Sequence, residues 1–242
     1  MTKKTITFRG REFLYKNSFE PNLTSNLIAE AVLEYDLHDK SILDLGCGCG
    51  ALGLSLIQNS PSDLVLADIS SGAIKDSQEN IKNMQQECHS INVEAVMSDG
   101  FSALDKTRQY DVIVNDVSGI SEEVAQLSSW FDNAPCDSGI DGLHFFKQII
   151  LEAKDYLVKD GLLLTPLLSL SNVSEARAFL NRTLISWDVV KRKEWFLPED
   201  MAIKHKKVLD ELINSGNILM DYKFGRFVAW TEVLVIREGA YR

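Results

Sequence analysis

The sequence predicts an α/β chain: a Rossmann-like, mostly parallel sheet with helices on both faces and an antiparallel strand at its edge. Three observations carry this. Short apolar runs of strand length alternate with segments of helical period along most of the chain. The first such run ends in a glycine cluster, Gly46-Cys47-Gly48-Cys49-Gly50, that opens directly into a helical pattern. The ends of the next runs are polar, which is where an open parallel sheet holds its ligands.

Taken in order, Thr5-Ile6-Thr7-Phe8 is strand-like, and Pro21-Asn22 leads into a helix over 24–34 with Asn22 or Thr24 as its cap. Ser41 to Leu45 is the first sheet strand, and Ala51 to Gln58 the helix after the glycine loop. The alternation continues with strand 64–67 and helix 71–87, strand 93–96 and a short helical turn after Phe101, strand 112–114, helix 142–157 and strand 162–164. Five short buried strands separated by helices require a parallel sheet covered on both faces. Beyond Pro166 the pattern becomes helix 173–182, strand 187–195, helix 201–212 and strand 227–236. The last two strands are expected to pair as an antiparallel edge, and residues 196–226, too long for a hairpin, to carry a helix over one end of the sheet as a lid or substrate insertion.

The composition agrees with one domain. With 242 residues, 45% of them hydrophobic and 25% charged, the chain has enough apolar content for a full core. Lys plus Arg number 25 against 35 Asp plus Glu, a net charge of −10 that disfavours nucleic acid as a partner. The basic runs Lys191-Arg192-Lys193 and Lys204-His205-Lys206-Lys207 lie beside acids and read as solvated faces. Cys47, Cys49, Cys88 and Cys136 neither repeat a spacing nor follow a secretion signal, so a reducing cytoplasm is the expected location. No apolar run has the length of a membrane span, and His89 and His144 are too isolated to build a metal site with the cysteines.

The strand ends describe a nucleoside site. They present Asp44 before the glycines, Asp68 after the second sheet strand, Asp99-Gly100-Phe101 after the third and Asn115-Asp116 after the fourth. A glycine turn lets backbone approach a ligand that a Cβ would exclude, and a carboxylate at the second strand end accepts both hydroxyl protons of a ribose. Gly48-Cys49-Gly50-Ala51-Leu52-Gly53 also satisfies the dinucleotide fingerprint, with Asp68 about twenty residues on, which keeps a nicotinamide-dependent oxidoreductase as a rival. Against it, the acidic Asp44 preceding the glycines suits a cationic ligand such as a sulfonium amino acid better than a pyrophosphate. Asp99 supplies an acceptor for an adenine amino group.

Residues 40–170 resemble class I S-adenosylmethionine-dependent methyltransferases. Asp44 to Gly50 is similar to that family's first motif, Asp68 to its ribose-binding acid, and Ser98-Asp99-Gly100-Phe101 to its adenine-side motif. The resemblance implies the class I fold, S-adenosylmethionine as cofactor, and cofactor contacts from Asp44, Gly46, Cys47, Gly48, Gly50, Asp68, Ile69, Asp99, Gly100, Phe101 and Asn115. It also divides the chain into an N-terminal substrate-side extension, 1–40, and a methyltransferase domain, 41–242. More narrowly, Asp99-Gly100-Phe101-Ser102-Ala103-Leu104, the block Ser138-Gly139-Ile140-Asp141-Gly142-Leu143, Lys159-Asp160-Gly161 and Phe19-Glu20-Pro21 are similar to the HemK/PrmC branch. Those enzymes methylate the side-chain amide nitrogen of glutamine in release factors, and relatives act on bases of RNA.

One departure bears on the acceptor. The branch reads Asn-Pro-Pro-Tyr where this chain reads Asn115-Asp116-Val117-Ser118. The amide remains but the prolines and the stacking ring do not, so Asp116 and Ser118 present a carboxylate and a hydroxyl. That set suits a nitrogen of a small polar or amine-containing molecule, with Asn115 and Asp116 as the catalytic pair and Ser118, Trp130, Phe131 and Phe19 as acceptor contacts. A protein side chain is the other acceptor class the resemblance implies, and the forty residues before the first sheet strand leave no room for the branch's release-factor-binding helical domain.

Overall fold

The computed structural model describes residues 4–88, 91–117, 119–128, 130, 138–183 and 186–237. An N-terminal hairpin joins β1 (Thr5–Phe8) to β2 (Arg11–Leu14) through Arg9-Gly10, both at positive φ, the two-residue turn whose twist matches antiparallel strands. Only the first of these strands is legible in the sequence pattern. Helix α1 (Leu23–Val32) follows, capped by the Asn22 side chain.

The sheet begins at β3 (Ser41–Leu45), followed by α2 (Ala51–Ser55), β4 (Asp63–Asp68), α3 (Ser71–Asn83), β5 (Asn92–Met97), β6 (Tyr110–Asn115), α4 (Glu122–Leu127), α5 (His144–Ala153) and β7 (Leu157–Leu168). The chain continues with α6 (Val173–Arg182), β8 (Trp187–Phe196), α7 (Glu199–Lys204), α8 (Lys206–Ser215), β9 (Asp221–Lys223) and β10 (Arg226–Arg237). The strand order is β5-β4-β3-β6-β7-β10-β8, with β9 added to β10. From β5 to β7 all neighbours are parallel, and β10 runs antiparallel to both β7 and β8. The last two long strands therefore pair antiparallel at one end of the sheet, as expected, with β8 outermost and β10 inserted beside β7.

Strand alternation sends side chains to two cores. Ile42, Leu64, Leu66, Val112, Val114, Leu164, Val233 and Val235 pack with Leu27, Ile28 and Leu54 of α1 and α2 on one face. Leu43, Leu45, Val65, Ala67, Ile113, Leu163, Leu234 and Ile236 pack with Phe146, Ile150 and Leu180 of α5 and α6 on the other. Helix α1 thus belongs to the cover of the sheet. A third cluster at one end joins Ile120 and Val124 to Leu197, Met201, Leu209 and Leu212, so 196–226 folds as two short helices on its own core rather than one.

Strand β7 is longer than expected, because Lys159-Asp160-Gly161 makes an irregularity inside it rather than a turn before it; the register with β6 jumps between Tyr110 and Val112, and Asp160 has positive φ. Its C-terminal half runs past the register with β6, which ends at Leu164. Pro166 sits in that overhang, paired with β10 on one side only, where a missing amide proton costs no ladder bond.

Candidate active site

A cleft of about 360 Å³ opens at the C-terminal ends of β3, β4 and β6. Its described lining includes Asp44, Asp68, Asp99, Asp116 and Glu152, and no Lys, Arg or His. Every ionisable side chain in that described lining is therefore an acid, and an entering cation meets no fixed positive charge from it.

The glycine loop forms its floor. Gly46 must lack a Cβ because one there would lie 2.6 Å from Val117 Cγ2, in the loop after β6. Gly48 differs: at φ +54 its added Cβ would meet only the Phe19 carbonyl oxygen at 3.7 Å, so the space it leaves belongs to the cleft. Both backbone groups of Gly48 are pinned, the amide donating to Asp68 Oδ2 at 2.9 Å and the carbonyl accepting from Ser77 Oγ at 2.9 Å. The Ser70 amide donates to Asp68 Oδ1 at 2.8 Å. Burial raises the Asp68 carboxyl above its ordinary range, and these two amides oppose the rise.

Asp44 is fully buried. Its Oδ2 accepts from the Gly53 amide at 2.8 Å, while Oδ1 is buried without a partner. Burial pushes its carboxyl up to about 8; the Gly53 amide works against this and the charges of Asp116 and Asp68 add to it. An unpartnered buried carboxylate oxygen at the wall of a cleft is a site for a donor from the ligand. Asp116 accepts a hydrogen bond from Ser25 Oγ at 2.5 Å, and burial raises it to about 7 against that hydroxyl.

These two acids set a pH dependence of stability. In the folded chain both carboxyls stay protonated to higher pH than in the unfolded chain, so their contribution is complete below the ordinary carboxylate pKa and is lost as pH rises toward 7–8. The thermal midpoint of the unliganded protein should fall as pH is raised from 5 to 8, each kcal/mol costing about 2–4 °C. Asp44→Asn should flatten that slope in calorimetric scans; an unchanged slope would show that Asp44 does not titrate in this window.

Segment 15–22 makes the wall opposite the β6 loop. It is held to α3 by the buried Asp76, whose Oδ2 accepts from the amides of Lys16 and Asn17 at 2.7 and 2.8 Å and from Ser18 Oγ at 2.9 Å. Asn80, also buried, bridges Leu14 to the Cys49 carbonyl. The hydrogen bonds that make this strap have no signature in the sequence, nor do Ser25, Gln148 and Glu152; the segment's local signals are Asn22, a helix cap, and Phe19, an expected acceptor contact that lines the cleft.

Of the residues expected at the site, Asp44, Gly46, Cys47, Gly48, Asp68, Ile69, Asp99, Gly100, Asp116 and Phe19 line the cleft together. Gly50 faces Leu66 and Ser77 instead. Phe101 is buried and stacks on Tyr156 at 4.6 Å, so it supports the wall from behind. Asn115 is buried with its amide used inside the protein, donating to Thr165 Oγ1 at 2.9 Å and accepting from the Val117 amide at 3.0 Å. Trp130 packs on Trp195 at 6.1 Å in the third cluster and does not line the cleft. Ser118, Phe131, His89 and Cys136 lie outside the described residues.

Residues 20–117 match the methyltransferase small domain family. The matched segment carries α1, the glycine loop and the Asn115-Asp116 turn, and with them Asp44, Asp68, Asp99 and Asp116 of the cleft lining, whereas Asn17 to Phe19 and Glu152 lie outside it. Release factor glutamine methyltransferases are among its curated relatives: that of Borreliella burgdorferi is 28% identical over 164 residues, 65% of this chain and 56% of that protein. That of Fusobacterium nucleatum is 32% identical over 153 residues, 59% and 42% of the two chains. The chain thus spans about half the length of these relatives, and they bear out the resemblance to the HemK/PrmC branch. Among solved structures, the Thermus thermophilus 16S rRNA N2 G1207 methyltransferase, in complex with AdoMet and guanosine, matches at TM-score 0.60 and 15% identity, covering 98% of this chain and 50% of that one. The fold is that of class I methyltransferases. Among the described residues no helix is long and apolar enough to cross a membrane.

Proposed function

We propose that the chain is an S-adenosylmethionine-dependent methyltransferase acting on a nitrogen of a small polar or amine-containing molecule. The observation that carries this is the cleft lined by acids and, among the described residues, by no cationic side chain, with Asp44 Oδ1 buried and unpartnered at its wall. A pyrophosphate there would face only like charge, which weighs against the nicotinamide reading; a ligand with an ammonium and a sulfonium satisfies the orphan oxygen. In this reading Asp68 accepts ribose hydroxyls, Asp99 an adenine amine, and the open space at Gly48 admits the cofactor's approach to backbone.

When bound, S-adenosylmethionine supplies an activated methyl group, leaving alignment and proton removal to the protein. Asp116 is the proton acceptor at the cleft end of β6, its carboxyl near neutral range at about 7, which suits a base working at physiological pH. Asn115 holds the turn that presents it, through Val117 and Thr165. Of the aromatic rings, Phe19 and Phe145 line the cleft and Trp130 lies away from it.

The relatives' names favour a second acceptor, a glutamine side chain of a protein. Two measurements separate the readings. S-adenosylhomocysteine should raise the thermal midpoint while NAD should not. With labelled cofactor and a metabolite panel, Asp116→Asn should lower turnover of the amine acceptor by more than about tenfold with S-adenosylhomocysteine affinity within about twofold. Methylation of a Gly-Gly-Gln peptide or of transfer RNA, indifferent to Asp116→Asn, would return the assignment to the relatives' substrates.

A further inference from the structure

We propose that Ser25 is a positioning residue that orients the Asp116 carboxylate for proton acceptance, an inference resting on the methyltransferase reading above. Ser25 is the third residue of α1 and is buried. Its hydroxyl oxygen accepts from the Asn22 amide at 3.2 Å, and its one proton is donated across the cleft to Asp116 Oδ2. A serine in a capping box needs only the first of these bonds. The second joins residues 91 apart in sequence and ties the turn after β6 to a helix that is itself fixed, since Leu27, Ile28 and Ala31 are buried in the core beneath.

The two ends of the bond are held by different parts of the fold. The loop after β6 contains Gly119 and is anchored by Asn115, whereas α1 is held at its start by Asn22 and, through segment 15–22, by Asp76 on α3. The carboxylate is therefore aligned by the scaffold, and the cofactor-side strap and the acceptor-side acid meet at one hydroxyl. Asp44 from β3 is the acid whose carboxyl the charge of Asp116 raises, and Asp68, Asp99 and Glu152 line the same cleft; no Lys, Arg or His lines it among the described residues. Ser25 is thus the donor that favours the ionised form of Asp116. In the step it serves, the acceptor's N–H bond breaks, the electron pair stays on nitrogen, and the proton joins the carboxylate.

The test is a carboxyl ¹³C NMR titration of aspartate-labelled protein, with Asp116 assigned from Asp116→Asn. Ser25→Ala should move the Asp116 midpoint to higher pH, because the bond to the charged form is lost. Ser25→Thr, which keeps the hydroxyl, should restore the wild-type midpoint. Asn22→Ala should lower the thermal midpoint, as loss of a cap does, without moving the Asp116 titration. Should Ser25→Ala not fold, Ser25→Cys substitutes a weaker donor of similar size and should shift the midpoint in the same direction. An unmoved midpoint in Ser25→Ala, or in its stand-in Ser25→Cys, overturns the proposal, as does an equal shift in Asn22→Ala. Calorimetry with S-adenosylhomocysteine on the wild-type chain reports separately on the cofactor reading: absent binding there overturns that reading and, with it, the role assigned to Ser25.

Discussion

Gly48→Val should abolish S-adenosylhomocysteine binding while the protein still unfolds in one cooperative transition. The glycines around the site are not equivalent. At Gly46 and Gly53 an added Cβ runs into the protein at 2.6 Å, against Val117 and Leu66, so substitution there disturbs packing first. At Gly48 the nearest atom is 3.7 Å away, and the side chain would extend into the cleft floor. The cost to folding is that of a branched residue at φ +54, about 1–2 kcal/mol, which a domain of ordinary stability survives. The cost to the ligand is exclusion from the loop. Calorimetry and a thermal scan on the same variant decide the matter: loss of the cooperative transition would make Gly48 a structural residue and remove the strongest support for the cofactor site.

Replacement of Asp68 by Ala should weaken S-adenosylhomocysteine binding by about 2–4 kcal/mol, about thirty- to several-hundred-fold in Kd. Two effects add. The variant loses the acceptor for the ribose hydroxyls, and it frees the Gly48 and Ser70 amides that now point at the two carboxylate oxygens. The second effect loosens the floor of the cleft as well as its ribose corner, so the loss exceeds that of a single charged hydrogen bond. Asp68→Asn, which keeps one acceptor oxygen, should retain part of the affinity. Unchanged binding in Asp68→Ala, measured by calorimetry, would show that the ribose lies elsewhere.

The acceptor is the part of the function that the fold does not specify. Class I folds serve chemically different acceptors, and the relatives and the solved neighbour carry names that include a protein glutamine and a ribosomal guanosine. What bears on the acceptor in this chain is local: a carboxyl at Asp116, a serine on α1 that holds it, and a cleft that no Lys, Arg or His lines among the described residues.

The sequence by itself determined the alternation of strands and helices, the place of the glycine loop, and the acids Asp44, Asp68, Asp99 and Asp116 at the strand ends. Each of these is written in short-range periodicity or in spacing, because a buried parallel strand needs a continuous apolar run and a tight strand-to-helix turn needs glycine. Only the tertiary structure decided which of those residues share a surface. Phe101 and Asn115 sit in motifs at strand ends, yet their side chains are used by Tyr156, Thr165 and Val117. Trp130 finds Trp195 across the third cluster. The strap on Asp76 and the Ser25–Asp116 bond join segments that are 58 to 91 residues apart, and the insertion of β10 beside β7 likewise pairs strands far apart in sequence. Hydrogen bonds of that kind leave no period in the sequence, since either partner alone reads as an ordinary polar residue at a helix end or in a loop; they exist only once burial of the two cores has brought the segments together.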